Sequence, residues 1–230
     1  MLEARNLSKK YGDQLALSDL NLSVAPGEVF CLLGQNGAGK TTTINLFLGF
    51  IQPTSGIVSI DGVPVDSSGV TNQMIAYIPE VVQLYGNMNG FENLKFFSQL
   101  SGHQHSKVKL TELLTKAGLK EEDHHKKLSE YSKGMRQKVG IAIALSKDAK
   151  AIFMDEPTSG LDPHATNEFT TICKELAADG KSIFMATHDI FNAINVGNRI
   201  GIMKKGELVY TNDTKDINAN EMQELYLKTV

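Results

Sequence analysis

Hydrophobic positions in this chain gather into three short runs, within EVFCLL at 28–33, AIFMD at 151–155 and SIFMAT at 182–187. Unbroken apolarity over four to six residues predicts strands buried on both faces, as in parallel sheets. The first run leads through a glycine-rich turn into GKTTTINLFLGF, which has helical character, and HATNEFTTICKELAADG supplies a helix between the other two. Strand, turn and helix in alternation predict an α/β fold with a mainly parallel sheet covered by helices. Regions 2–8, 20–24, 57–66 and 199–210 look like short strands with glycine turns at DG and KG, and we assign them to a smaller antiparallel β layer. Residues 89–146 differ, because FENLKFFSQLSG, SKVKLTELLTKAGL and KGMRQKVGIAIALSK all space their apolar positions as helices do. The expectation is one domain over 1–230: a core from 1–88 and 147–210, a helical subdomain at 89–146, and a polar, loosely held tail at 211–230.

Composition narrows the function. With 230 residues and 41% hydrophobic content, the chain can bury a sizeable core. A net charge of -3 and a pI near 6.1 argue against nucleic acid or an anionic membrane surface as partner. The longest apolar run, INLFLGFI, falls far short of the roughly 18 residues that span a bilayer. No signal-peptide pattern opens the chain, so a membrane role would need another polypeptide. Cys31 and Cys173 lie in apolar settings without metal-ligand spacing; no disulfide is expected.

The chemistry is concentrated in four stretches. GQNGAGKT at 34–41 fits the phosphate-loop pattern and sits between a strand and a helix. Backbone N–H groups of Gly34, Asn36, Gly37, Ala38 and Gly39 can wrap phosphates, Lys40 can reach the β- and γ-phosphates, and the Thr41 hydroxyl can ligate Mg²⁺. AIFMDEP ends a strand in two adjacent carboxylates, which alternation sends to different faces. Asp155 is expected to serve Mg²⁺, while Glu156, one position further, can orient and deprotonate water. Solvated acids of a turn are the plainer reading of this pair, and the phosphate loop upstream weighs against it. His188 in ATHD follows the third strand; a lone histidine there is as often structural as functional. The other five histidines read as surface. In YSKGMRQK, Ser132 can cap a helix and Gly134 can let backbone approach an anion. A cap alone would explain the serine, but a second anion site in a chain that already has a phosphate loop makes sense if it serves another subunit's nucleotide.

In this order and spacing, GQNGAGKT, YSKGMRQK, AIFMDEPTSGLD and ATHD resemble the nucleotide-binding subunit of an ABC transporter, from about Leu2 to the GELV strand. The resemblance implies a P-loop NTPase core of the ABC ATPase fold and a head-to-tail dimer, homo- or heterodimeric, around two ATP molecules. Tyr11 in KKYG would stack on adenine; Lys40, Thr41 and Thr42 would hold phosphates and Mg²⁺; Asp155 would position the metal and Glu156 would be the base. Ser132 and Gly134 would contact the γ-phosphate across the interface, His188 from the same subunit, and the segment around Asp162 would couple the sites. Two departures stand out: Lys133 and Met135 replace a glycine and a glutamine of the usual L-S-G-G-Q, and Glu80 in AYIPE stands where glutamine is common, placing a carboxylate near the metal. Both departures and the closing MQELYLKTV resemble an exporter-type branch that works with a separately encoded membrane permease, peripheral on the cytoplasmic face. A soluble relative acting on ribosomes or nucleic acid is the alternative, disfavoured by the acidic balance and by the lack of paired halves. A P-loop kinase would want an arginine clamp, and Arg5, Arg136 and Arg199 are dispersed.

Overall fold

A computed structural model describes residues 1–66 and 68–230. The chain runs β1 (Leu2–Tyr11), β2 (Gln14–Val24), β3 (Val29–Leu33), α1 (Lys40–Phe47), β4 (Ser55–Ile60), β5 (Val63–Pro64), β6 (Ile75–Ile78), α2 (Gly90–Leu100), α3 (Lys107–Lys116), α4 (Lys133–Ser146), β7 (Ala151–Asp155), α5 (Pro163–Ala178), β8 (Ser182–Thr187), α6 (Ile190–Val196), β9 (Arg199–Lys204), β10 (Glu207–Asp213) and α7 (Ala219–Thr229).

Every residue of β3 and β8 is buried, because the sheet they form has an apolar layer on each side. Alternation divides β3 between the two: Val29, Cys31 and Leu33 face the core under α4, α5 and α6, while Phe30 and Leu32 face the core shared with α1 and the antiparallel sheet. Phe47 of α1 anchors the second layer, with ring centroids 5.3 Å from Phe153 and 6.1 Å from Phe184. The main sheet has the order β10-β9-β3-β8-β7-β6, with only β10 antiparallel to its neighbour. The second sheet, β2-β1-β4-β5, is antiparallel. Helices α2, α3 and α4 form the insert, started by the caps Asn89, Ser106 and Ser132, whose side chains each accept a first-turn backbone N–H.

The structure departs from the sequence reading in four places. Residues 199–210 do not join the antiparallel layer: β9 pairs parallel with β3, Leu33 opposite Ile202, and β10 returns along its outer edge. The four central residues of β9 are buried in succession, which fits a strand covered on both faces, and the Lys205-Gly206 turn, with φ of 49° and 85°, disguised it as an ordinary hairpin. Ile75–Ile78, four residues long, is a further parallel strand that its length concealed. The tail is not loose, since Asn218 and Glu221 form a capping box for α7, and Met222 is fully buried beneath it. His124, expected at the surface, is buried, and its Nε2 lies 3.0 Å from the Leu119 carbonyl oxygen. Both cysteines are free and buried, and burial pushes the Cys31 thiol up to about 12, so the thiolate form is suppressed.

Parallel pairing has the consequence that matters for chemistry. The C-terminal ends of β3, β8, β7 and β6 share one edge, so the phosphate loop, His188, Asp155 with Glu156, and Glu80 all leave the sheet there.

Candidate functional site

The loop between β3 and α1 can be built only with glycine at its tightest points. Gly39 has φ 115°, and a Cβ there would stand 2.8 Å from the Ala16 carbonyl oxygen and 2.9 Å from Met203 Sδ. A Cβ at Gly34 would stand 2.7 Å from the Met203 oxygen. The loop is fastened from outside by Gly206, whose N–H donates to the Ala38 oxygen at 2.8 Å and whose carbonyl accepts from Ser18 N–H at 2.9 Å. Lys40 is 6% exposed and folds back over the loop, with Nζ donating to the Gly34 carbonyl at 2.6 Å. Burial lowers its pKa against the opposing pull of Glu156 and Asp155. A desolvated ammonium among backbone amides at a helix start is chemically suited to phosphate.

Opposite it stand the carboxylates. Thr41 Oγ1 donates to Asp155 Oδ2 at 3.1 Å. Burial holds the Asp155 carboxyl above its ordinary range, and the nearby Glu156 and Glu80 charges add to this against the Thr41 hydrogen bond and Lys40. Glu156 occupies the left-handed region at φ 45°, unusual for a residue with a side chain and of the kind that clusters at functional sites. One of its oxygens lies 4.0 Å from Lys40 Nζ; the other lies 2.9 Å from His188 Nδ1 and accepts the His188 backbone N–H at 3.2 Å. Glu80 Oε1 accepts from Ser159 Oγ at 3.0 Å.

These groups open onto one cavity of about 550 Å³, which Tyr11, Asn36, Gly37, Gly39, Lys40, Thr41, Thr42, Glu80, Asp155 and Glu156 help to line. Tyr11 is 47% exposed at its rim, with Lys9 Nζ 5.1 Å from the ring centroid. The cavity also takes in Gln14, Leu15, Ala16 and Lys205, which carry no local motif and arrive there only because β2 and the β9–β10 turn pack beside the loop. Ala38 and Gly34 support the loop from behind, and His188 reaches the site through Glu156. Thr41 and Asp155 provide hard oxygen donors of the kind that hold Mg²⁺ alongside phosphate, and the incompletely compensated charge of half-buried Asp155 fits a cation.

Ser132 and Gly134 lie elsewhere. They line a separate cavity of about 180 Å³ with Leu161, Asp162 and Ala165, at the start of α4. Ser132 Oγ accepts from Met135 N–H at 3.2 Å, and Asp162 caps α5 through Ala165 N–H at 2.9 Å. A Cβ at Gly134 would meet nothing nearer than Ala165 Cβ at 3.5 Å, an ordinary contact, so this glycine is not required by its own protomer. Lys133 forms no ion pair among the described residues and lies over Gly160.

A phosphate loop on a parallel sheet, with acids at the neighbouring strand end, defines a P-loop nucleoside-triphosphate-binding domain. The ABC transporter family model matches residues 17–159, and the chain belongs to that family. A lantibiotic transport ATP-binding protein of Streptococcus pyogenes is 32% identical, over 91% of this chain and 89% of that protein. A bacitracin transport ATP-binding protein of Enterococcus faecalis is 34% identical over 96% of this chain and 70% of its own length. The chain spans only 38% of a probable multidrug ABC transporter ATP-binding protein of Escherichia coli, to which it is 34% identical over 95% of its own residues. Among solved structures, an ATP-binding subunit of an ABC transporter superposes with TM-score 0.84 at 30% identity, covering 99% of this chain and 98% of that one. A dimeric ATP-binding cassette in a post-hydrolysis state with ADP and Pi superposes with TM-score 0.82 at 28% identity, covering 93% and 99%.

Proposed function

We propose that this protein is the ATP-hydrolysing motor subunit of an exporter-type ABC transporter, acting as a dimer on a separate membrane permease. The observation that carries the reading is the meeting of Lys40, the Thr41–Asp155 pair and the Glu156–His188 pair at one sheet edge. Phosphates seat in the loop under Lys40, with Tyr11 at the base end. Thr41 and Asp155, with Glu80 beside them, would hold Mg²⁺, which when bound neutralises charge on the phosphate oxygens. Glu156 orients a water in line with the γ-phosphate and takes its proton, while His188 fixes the second carboxylate oxygen. Because Gly134 answers no need of its own protomer, its bare backbone suits a surface outside it. That surface is the ATP held by the other subunit, reached by the Ser132–Gly134 tip in head-to-tail pairing. Homo- and heterodimers both fit this scheme.

Among the described residues no helix is long and apolar enough to cross a membrane, so passage belongs to the permease. The chain sits peripherally on the cytoplasmic face, where ATP is supplied. Two aromatic clusters flank Glu80 in sequence, Phe50 against Tyr77 and Tyr85 against Phe96 and Phe97, and offer apolar area for that contact. The names of the relatives, which concern lantibiotic, bacitracin and multidrug transport, support export.

Purified protein is expected to release phosphate from ATP with Mg²⁺ present and to stop when EDTA removes it. From solubilised membranes it should co-purify with a multi-helix protein. Stable recovery with ribosomes instead would overturn the transport reading.

Base stacking gives a separate expectation. Tyr11→Ala should raise the Kd for ATP about fivefold to a hundredfold, from the roughly 1–3 kcal/mol typical of an aromatic–base stack. Turnover at saturating ATP should change little, and Tyr11→Phe should bind as the unaltered protein does. Calorimetric titration measures both, and an unchanged Kd in Tyr11→Ala removes the residue from the base site.

A further inference from the structure

The side chain of Gln137, on the second turn of α4, is 1% exposed and bonds to two segments outside its own helix. Its Nε2 donates to the Pro157 carbonyl at 3.0 Å and, more weakly, to the Glu80 carbonyl at 3.4 Å. Two carbonyl acceptors fix which end of the amide is nitrogen. Pro157 directly follows Glu156, and the Glu80 carboxylate accepts from Ser159 in the same turn. A few residues on, a Cβ at Gly140 would stand 3.1 Å from Val82, so α4 runs tight against the segment after Glu80. One amide therefore clasps three pieces: the helix that carries Ser132 and Gly134, the loop after β6, and the turn that places Glu156.

The lever is short. Five residues of helix separate Ser132 from Gln137, about 7.5 Å at the usual rise, and a helix of 14 residues transmits a shift of its tip as a rigid element. Glu156 is held at its left-handed φ by its own N–H to Ala186 and by the Ser159 N–H to its carbonyl, and the clasped Pro157 peptide lies inside that turn. Gln137 also leaves its Oε1 buried without a donor among the described residues. A leucine would fill the same space without that burden, so the amide is better explained by the two bonds it makes than by packing.

We propose that Gln137 is a positioning residue that couples the two ATP sites of the dimer. When the tip of α4 engages the nucleotide of the other subunit, Gln137 carries the displacement to the Glu156 turn of its own subunit. Hydrolysis in one site thereby depends on occupancy of the other. The inference rests on the dimeric reading above.

The test compares unaltered protein with Gln137→Leu and Gln137→Glu, following ATPase rate against ATP concentration, ATP affinity and thermal unfolding. For unaltered protein the Hill coefficient should approach ~2, the ceiling for two sites. Gln137→Leu should bind ATP within about twofold of normal, lose roughly tenfold in kcat as for a misplaced general base, and fall to a Hill coefficient near ~1. Gln137→Glu supplies a readout that simple destabilisation would not move. A buried carboxyl facing two carbonyls keeps its proton more readily than a free one. The charged groups near it include Glu80 and Glu156 in the clasped segments, and Asp162 and the Lys138–Glu168 pair with His164 at the α4–α5 contact. Protonated, it donates one bond; ionised, it donates none. Its rate relative to unaltered protein at the same pH should recover as pH is lowered and fade as pH rises. A cooperative unaltered protein together with an equally cooperative, equally fast Gln137→Leu overturns the coupling alone. Hyperbolic ATP dependence in unaltered protein that stays monomeric overturns the dimeric reading, and the coupling with it.

Discussion

Glu156→Gln should leave ATP binding intact, lower kcat by about 10²-fold or more, and hold the protein as a dimer when ATP is saturating. The magnitude is that of a lost general base. The substitution preserves volume and leaves an oxygen that can still accept the His188 backbone N–H, now made at 3.2 Å, so local geometry survives. It removes one negative charge 4.0 Å from Lys40, which favours a polyphosphate in the loop. Binding should therefore hold or tighten while proton transfer fails. Phosphate release and analytical ultracentrifugation with ATP measure the two effects. Normal turnover in this variant would discard Glu156 as the base, and a monomer at every ATP and protein concentration would discard the dimer.

Lys40→Ala should be more severe for binding, raising the Kd for ATP by about 10²-fold or more, since a buried charge-assisted contact to phosphate is lost along with its neutralising charge. Stability should move the other way. Burial lowers the Lys40 pKa despite Glu156 and Asp155, so the ammonium is harder to keep charged in the folded protein than in the unfolded chain. At neutral pH, below both values, that cost is fully present, and it is relieved only as pH rises through the lowered pKa. The melting temperature of Lys40→Ala without nucleotide should therefore equal or exceed that of unaltered protein, and added ATP should no longer raise it. Differential scanning calorimetry with and without ATP checks both, and an ATP-dependent rise equal to that of unaltered protein would remove Lys40 from the phosphate site.

The residues that converge on the cavity were legible in the sequence where chemistry sits on contiguous positions. A loop whose glycines are forced by close approach to Ala16 and Met203, or a strand that ends in Asp155 and Glu156, leaves a local mark. The hairpin of β9 and β10 did not, because its place is decided by pairing with β3, more than 160 residues upstream in the chain, while its own turn advertises only antiparallel return. α7 was hidden for a related reason: a polar surface helix that buries one methionine against its neighbours reads as a tail until those neighbours are in place. Lys205, Ala16 and Gln137 are further cases, with contributions that exist only after distant segments meet. The resemblance to ABC transporter subunits supplied the role across the interface proposed for Ser132 and Gly134, to which one protomer adds only that Gly134 has room for a Cβ.

One small joint ties two walls of the cavity together. Since Gly206 bonds at once to Ala38 and to Ser18, the strand pair that presents Tyr11 and the loop that carries Lys40 are joined as two sides of a single jaw. On the proposed reading, a nucleotide would lie between Tyr11 at the rim and Lys40 at the floor, so the two ends of its site would move as one body.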